Sequence, residues 1–340
     1  MPELVLLALG KVLGFKCSGV GEKVRWSIYA TVAGEPVVFT LRKFGFAILT
    51  RKESSLDLRR VIGQLKSALR VLEEHLEPFA QAQIDEGRVT IANRFSEFDA
   101  RYRFHRERAD RAYRRAKRRP RRKAGAAVGF GGLADLLNHR HRAESEGFFQ
   151  STAMIDAYFS RLEHRLILLR AFVGKPLAAG ELRALIREDW GDKLKRFVDV
   201  AKARDARETY ARLVRVKERI RNPFAHGGME NDRGALFFHV PGVGAMPANL
   251  TRFRDSVRFK FIPVEADDHA GACEVFDAMD ALLSSGDLTG PDRLLEAGID
   301  PQFDPDSLED YRTAIGDAAA LQQFLERWAH DYDRHVNMDY

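Results

Sequence analysis

Cysteine is scarce in this chain, and long apolar runs are absent. The 340 residues include only Cys17 and Cys273, too few and too far apart for a disulfide framework or a zinc site. The apolar run Leu4–Leu9 is much shorter than the ~20 residues that a membrane helix needs, and charged residues bracket it. We therefore expect a cytoplasmic protein in a reducing compartment, with no membrane contact.

Metal-binding patterns are missing as well. The acidic residues of the C-terminal third lack the glycine and glutamate positions of a calcium loop, and His330 and His335 have no cysteine or ordered carboxylate beside them. We predict no metal site and no cofactor.

Positive charge is abundant and concentrated. Arg101–Lys123 contains thirteen lysines or arginines against two carboxylates, about +11, whereas the whole chain carries +6. Apolar residues three and four apart from Phe95 to Ala116 predict a helix with one packed face and arginines on the others. Such a basic helix and arm suits contact with a phosphate backbone. The predicted contact residues are Arg111, Arg114, Arg115, Lys117, Arg118, Arg119, Arg121, Arg122 and Lys123. The alternatives are a solvated helix with a linker, or a surface for an acidic protein partner.

The length and the 45% hydrophobic content favour more than one core. Alternating apolar residues predict a meander of about three strands over Val24–Val32, Val37–Leu41 and Phe44–Thr50. A helix follows, with an apolar stripe from Leu58 to Leu76, and Pro78 is predicted to end it. We interpret the stripe as core, with a partner-binding zipper as the alternative. The pattern also predicts a short strand over Arg88–Ile91.

The remainder is mainly helical. A long amphipathic helix is predicted from Ile155 to Val173, stopped by Gly174 and Pro176, with a shorter one over Trp190–Ala201. Two strands, Leu236–Val240 and Val257–Ile262, separated by a loop, predict an inserted hairpin at about 235–264. The fold class is therefore α+β: a module at 1–92, a basic helix and glycine-rich linker at 93–146, and a helical domain at 147–340.

One segment carries the chemistry. A helix leads through Ile220 into Arg221-Asn222-Pro223-Phe224-Ala225-His226-Gly227-Gly228, where Pro223 and the glycines should kink or end it. This places a permanent cation and a side chain that titrates near neutrality at a helix end. Arg219 is a second candidate cation. On the long helix, Asp156 and Glu163 are accessory candidates that could orient His226 or pair with Arg221; the alternative is that both are ordinary surface carboxylates.

The Arg-Asn doublet followed after three residues by His, together with the earlier helix Met154–Glu163, resembles the HEPN superfamily. The resemblance covers roughly Gly147–Tyr210 and the motif, about a third of the chain. It implies an all-α bundle in this region and a metal-independent endoribonuclease, usually a dimer, in antiphage defence or a toxin–antitoxin pair. It assigns Arg221 and His226 as the catalytic pair and Asn222 as an accessory polar residue.

Two alternatives stay open. Some proteins of this type, including the mannitol-repressor kind, are non-catalytic regulators or binding subunits, and an antitoxin or a defence-complex protein would then be the partner. At the residue level, a histidine just past a helix end also interacts with the last carbonyls, and the arginine pairs with a nearby carboxylate.

Overall fold

The computed structural model describes residues 2–118, 130–221, 236–251, 256–258 and 264–337. The chain divides into two compact units. The first unit comprises Met1–Val89, Leu177–Arg183 and Thr313–Tyr340, and the second comprises Thr90–Pro176 and Ala184–Arg312. Within the described ranges, no helix is both long and apolar enough to cross a membrane.

A four-stranded antiparallel meander forms the core of the first unit. Its strands are β1 (Lys16–Ser18), β2 (Val24–Val32), β3 (Glu35–Arg42) and β4 (Gly45–Thr50). The three predicted strands are confirmed, and β1 adds a fourth that pairs with β2. Trp26 and Ile28 on β2 are buried, as the alternation of apolar residues predicts, and they pack with Val37 and Phe39 of β3.

Two helices accompany this sheet. The short helix α1 (Pro2–Val5) continues as a π-helix over Leu6–Val12, and the long helix α2 spans Leu58–Asp85. Asp57 caps α2, because its carboxylate accepts hydrogen bonds from the amides of Arg59 and Arg60. The prediction that Pro78 ends this helix is wrong: the helix continues for seven residues beyond it. Pro78 and Glu74 both lie on the exposed side, where water can solvate the carbonyl that loses its amide partner.

The apolar stripe of α2 is less buried than predicted. Val61 is the single buried residue of this 28-residue helix. Leu65 and Leu69 lie partly buried against the core, whereas Leu58 and Ile62 are each 39% exposed. Interpreting the whole stripe as core is therefore only half correct.

The second unit is built around two long helices, α3 (Phe95–Lys117) and α4 (Phe130–Phe172). They pack against each other along their lengths, and α3 buries Tyr102, Ala109, Ala112 and Tyr113. This agrees with the apolar face predicted for the basic helix. At the end of α4, Gly174 adopts a φ of +68°, which suits glycine. The predicted stop is thus confirmed, although the helix begins earlier than its apolar pattern indicates.

Shorter helices complete the chain. They are α5 (Glu181–Arg187), α6 (Trp190–Lys195), α7 (Arg204–Val216), α8 (Ala266–Leu283), α9 (Thr289–Glu296), α10 (Pro305–Ala314) and α11 (Ala318–Asn337). A π-helical turn, Lys217–Arg221, extends α7, and a 3-10 turn, Gly286–Leu288, precedes α9. At 88–91 the chain forms only an isolated bridge, between Thr90 and Gln302, instead of a strand.

The predicted hairpin contains an additional strand. Its strands are β5 (Leu236–Val240), β6 (Gly244–Thr251) and β7 (Ser256–Arg258), in an antiparallel sheet. Strand β6 occupies most of the stretch predicted as a loop, because a tight turn at 241–243 reverses the chain at once. Residues 252–255 and 259–263 lie outside the described residues.

The combination of an antiparallel sheet and many helices confirms the α+β class. The compact units differ, however, from the three predicted segments. Helix α3, which we predicted as a connector, lies inside the second unit, and 313–340 belongs to the first. Most of the glycine-rich stretch at 125–132 lies outside the described residues, and its last three residues are helical.

Candidate active site

The helix that leads into the Arg-Asn motif is anchored by a narrow apolar face. On α7 and its π-helical extension, Leu213, Val216 and Ile220 are buried at the 3–4 spacing of a helix. The extension contacts α4. Arg221 is the last described residue of this segment, so the described part ends where the candidate site begins.

Arg221 is held by two residues of α4. Its Nε donates a hydrogen bond to Asp156 Oδ1 at 3.0 Å. Its guanidinium carbon lies 5.1 Å from the centroid of the Phe159 ring, within the range of a cation–π interaction. Asp156 and Phe159 are three residues apart and therefore project from the same side of α4. Of the roles considered for Asp156 from the sequence, the structure shows the pairing with Arg221.

The side chain of Arg221 is partly exposed to solvent. Its side chain is 26% exposed and that of Asp156 is 48% exposed, whereas Phe159 is completely buried. One nitrogen of the guanidinium faces the carboxylate, and a guanidinium has five N–H donors in all. Donor capacity is therefore available for a second anionic group.

A second cation–aromatic pair lies beside the first. Lys217, one helical turn before Arg221, has its Nζ 5.5 Å from the centroid of the Trp190 ring. Trp190 in turn meets Phe159 edge to face, with ring centroids 5.4 Å apart. Sequence reasoning missed Lys217, although its spacing of four residues from Arg221 indicates a shared helix face.

Among the remaining catalytic and accessory candidates, Glu163 alone has a described side chain. Asn222 and His226 lie outside the described residues, as does the side chain of Arg219. Glu163 lies two turns beyond Asp156 on α4 and is half-buried. Within the described part of the chain it forms no ion pair with Arg221.

The basic surface predicted on α3 is present. Arg111, Arg114, Arg115, Lys117 and Arg118 are all exposed, opposite the buried alanines and tyrosines. Arg115 pairs with Glu146 of α4, and Arg111 lies 3.9 Å from Glu107. Arg114, Lys117 and Arg118 have no ion pair within the described ranges. Arg119, Arg121, Arg122 and Lys123 lie outside those ranges.

Sequence reasoning missed a buried ionic network at the centre of the second unit. Arg161 and Arg165, one turn apart on α4, are nearly inaccessible. Arg161 pairs with Asp280 of α8 and, at 3.1 Å, with Asp99 of α3. Arg165 pairs with the same Asp280 at 3.1 Å and with Asp292 of α9 at 2.6 Å.

This network links four helices through two guanidinium groups. Because unpaired buried charges are costly, each arginine specifies which carboxylates must lie opposite it. The ring of Tyr102 lies under the Arg161 guanidinium at 4.9 Å, and Tyr158 lies near it at 5.3 Å. The spacing of four residues on α4 could have suggested the pair of arginines, but not their partners, which lie on three other helices, α3, α8 and α9.

A second polar cluster surrounds His269. Its Nδ1 lies 3.0 Å from Ser151 Oγ and its Nε2 lies 3.0 Å from Asp110 Oδ1. Burial lowers the pKa of His269 below its ordinary value of 6.5, and the hydrogen bond with Asp110 opposes this shift. A serine, a histidine and an aspartate in line resemble a catalytic triad. Ser151 is fully buried, however, and donates to the Gly147 carbonyl, so the cluster joins α3, α4 and α8 instead of meeting substrate.

The described residues contain no group of three or more histidine, cysteine, aspartate or glutamate side chains placed to hold a metal ion. Comparisons of the chain with family models, with curated proteins and with solved structures found no match.

Proposed function

We propose that this protein is an endoribonuclease of the HEPN type that cleaves RNA by attack of the 2′-hydroxyl on the adjacent phosphate. Arg221 and His226 are the catalytic pair of this proposal, with Asn222 as an accessory polar residue and no metal in the reaction. A cytoplasmic homodimer acting in antiphage defence or growth arrest is the setting that the resemblance implies.

The observation that carries the proposal is the placement of Arg221. An arginine at the end of a helix is fixed by Asp156 and Phe159, yet a quarter of its side chain remains exposed. A guanidinium fixed in advance loses little entropy when it meets an anion, and it binds phosphate oxygens by charge-assisted hydrogen bonds. Asp156 is then a positioning residue.

The chemistry needs few groups. RNA carries its own nucleophile, so the enzyme has to remove the 2′-hydroxyl proton, protonate the leaving 5′-oxygen and stabilise the charge that grows on the phosphate. The products are a 2′,3′-cyclic phosphate and a 5′-hydroxyl. His226 supplies one proton-transfer group with a pKa suited to neutral pH, and Arg221 supplies the charge. The second proton-transfer group would come from the other copy in a dimer.

The exposed cations of α3 support an RNA substrate. Arg114, Lys117 and Arg118 project into solvent without carboxylate partners in the described part of the chain. Such side chains contact the backbone of any sequence, with an affinity that falls as salt rises.

One observation favours a non-catalytic regulator as the second candidate. Arg221 already has a carboxylate partner at 3.0 Å, which lowers its net positive charge toward a phosphate. In a regulator or antitoxin-type subunit of a defence complex, this ion pair would simply join α7 to α4, and the basic surface would bind RNA or an acidic partner.

Incubation of the purified protein with RNA in EDTA separates the two candidates. We expect fragments that end in 2′,3′-cyclic phosphate. His226→Ala should slow their formation by about 10²- to 10⁴-fold. Arg221→Ala should slow it by about 10²- to 10³-fold, since it removes the main cation facing the phosphate. Arg204→Ala is the matched control, because Arg204 is 86% exposed at the far end of the same helix.

Intact RNA in the presence of tight binding would favour the regulator. Equal loss of cleavage in Arg204→Ala would also count against the assignment of Arg221, because a remote arginine would then matter as much.

A further inference from the structure

The apolar stripe of α2 has the spacing of a coiled-coil seam. Its members alternate four and three residues apart, a repeat of about 3.5 residues, whereas a straight helix packing on one sheet follows about 3.6. They are Leu58, Ile62, Leu65, Leu69, Leu72, Leu76 and Phe79. We call this set the α2 seam.

The described residues of one chain leave the seam incompletely covered. Leu58 and Ile62 are 39% exposed and Phe79 is 61% exposed, while the four central leucines are half-buried. Pro78, which removes one backbone hydrogen bond, lies outside the seam on the exposed face, so the repeat is not interrupted.

An open groove runs beside the first half of the seam. Its volume is about 580 Å³. Pro2 and Val5 of α1 and Phe46 and Ile48 of β4 line one wall, and the seam residues from Leu58 to Leu69 line the other. A second helix that packs along α2 would therefore meet apolar side chains from both walls of the groove.

We propose that the α2 seam is a dimerisation surface that receives α2 of a second copy of this chain, in antiparallel orientation. The seam repeat selects a helix of equal periodicity, and α2 itself is such a helix. In the register that places Leu69 opposite Leu72 of the second copy, Leu65 faces Leu76 and Ile62 faces Phe79. Six of the seven seam residues then meet an apolar residue.

Charge complementarity decides the orientation. Lys66 and Glu73 are both exposed and each directly follows a seam leucine. In the antiparallel register, Lys66 lies beside Glu73 of the second copy, and the two-fold symmetry repeats this pair. A parallel pairing would place Lys66 beside Val61 and Glu73 beside Ala68 instead, without an ion pair.

Sedimentation velocity on the full chain tests the surface. We expect a concentration-dependent dimer, and Ile62→Glu should raise its dissociation constant about tenfold or more, because a charge would enter the apolar contact. Val71→Glu is the matched control. Val71 is 55% exposed on the same helix but outside the seam, so its variant should dimerise like the parent.

A charge swap tests the orientation without disturbing the fold. Lys66→Glu or Glu73→Lys alone should weaken the dimer roughly tenfold at low salt, since two symmetry-related attractions become repulsions. The double variant Lys66→Glu/Glu73→Lys should restore it. These residues are seven apart and exposed, so their exchange leaves the folded chain intact as judged by circular dichroism.

A parent protein that is monomeric at all concentrations would overturn the proposal. So would a dimer that neither Ile62→Glu nor the single charge reversals weaken. The double variant failing to restore a dimer that both single variants weaken would overturn the antiparallel orientation. None of these measurements depends on RNA cleavage.

Discussion

Two helices of this protein carry similar apolar stripes with different outcomes. On α4, Ile155, Tyr158, Phe159, Leu162 and Leu166 are at most 1% exposed. On α2, Val61 alone is buried. Of the twelve largest fully buried side chains in the described part of the chain, eleven belong to the second unit, and Ile28 alone belongs to the first.

The difference comes from the neighbours of each helix. Over residues 151–172, helix α4 is packed by α3, α6, α8 and α9, so most of its circumference is covered there. In the described part of the chain, helix α2 packs mainly against α1, its π-helical continuation and one side of the sheet, and its C-terminal end also meets Gly180 and Arg183. An apolar stripe therefore predicts a packing surface, but it does not show whether that surface packs within the same chain or against another molecule.

A matched pair of leucine truncations gives the largest expected effect. Leu166→Ala should lower the free energy of unfolding by about 2–5 kcal/mol, because it leaves a cavity in a closely packed core. Leu72→Ala should lower it by less than about 1.5 kcal/mol, because part of that side chain already meets water. Urea unfolding, followed by hydrogen exchange in peptides of each unit, measures both.

The protein concentration in that experiment should be low enough to keep the chain monomeric, so that Leu72 is judged only by its intrachain contacts. Equal losses of unfolding free energy in the two variants would contradict the conclusion that α4 is more closely packed than α2.

Breaking one link of the buried network gives an intermediate effect. Asp99→Asn keeps the shape of the side chain but removes the charge that faces Arg161 at 3.1 Å. We expect a loss of about 1.5–3 kcal/mol in the unfolding free energy, the usual value for a hydrogen bond to a charged group. Thermal unfolding at fixed pH measures this loss.

Glu208→Gln is the control for the network, because it breaks an exposed pair with Arg204 and should cost about 0–1 kcal/mol. A similar small cost for Asp99→Asn would mean that Asp280 alone satisfies Arg161.

The smallest effect concerns pH. Burial lowers the pKa of both His164 and His269 below 6.5, and both histidines lie in the second unit. The unfolded chain therefore takes up these protons at a higher pH than the folded chain does. Stability from the neutral histidines is complete above about pH 6.5 and is lost as the pH falls below it toward the folded pKa values.

Hydrogen exchange at pH 7.5 and 5.5, corrected for intrinsic rates, should show this loss in the second unit and not in the first. His269→Gln should reduce the pH dependence, and an unchanged dependence would remove His269 from the cause.

Much of the local structure could be predicted from periodicity. The alternation in β2, the packed face of α3 and the stop of α4 at Gly174 depend on residues close in sequence, so the pattern contains the information. The predicted helix stop at Pro78 and the predicted loop at β6 were wrong. Both predictions relied on single proline or glycine residues, whereas the surrounding segment favours a continued helix in one case and a strand in the other.

Some features of the candidate site could likewise be predicted from the sequence, and others could not. The motif and the accessory carboxylate Asp156 follow from residue types and their helical placement. The ring of Phe159 under Arg221 does not, because a cation–π contact depends on the distance between two helices.

The sequence alone determined most of the helices and strands, where positive charge collects and which arginine begins the motif. Only the tertiary structure decided which of two helices with similar apolar stripes is buried, and which carboxylates pair with Arg161 and Arg165. Periodicity within a segment records how side chains are distributed around its own axis. Burial and ion pairing depend on which residues, distant in sequence, pack beside that segment in the folded protein.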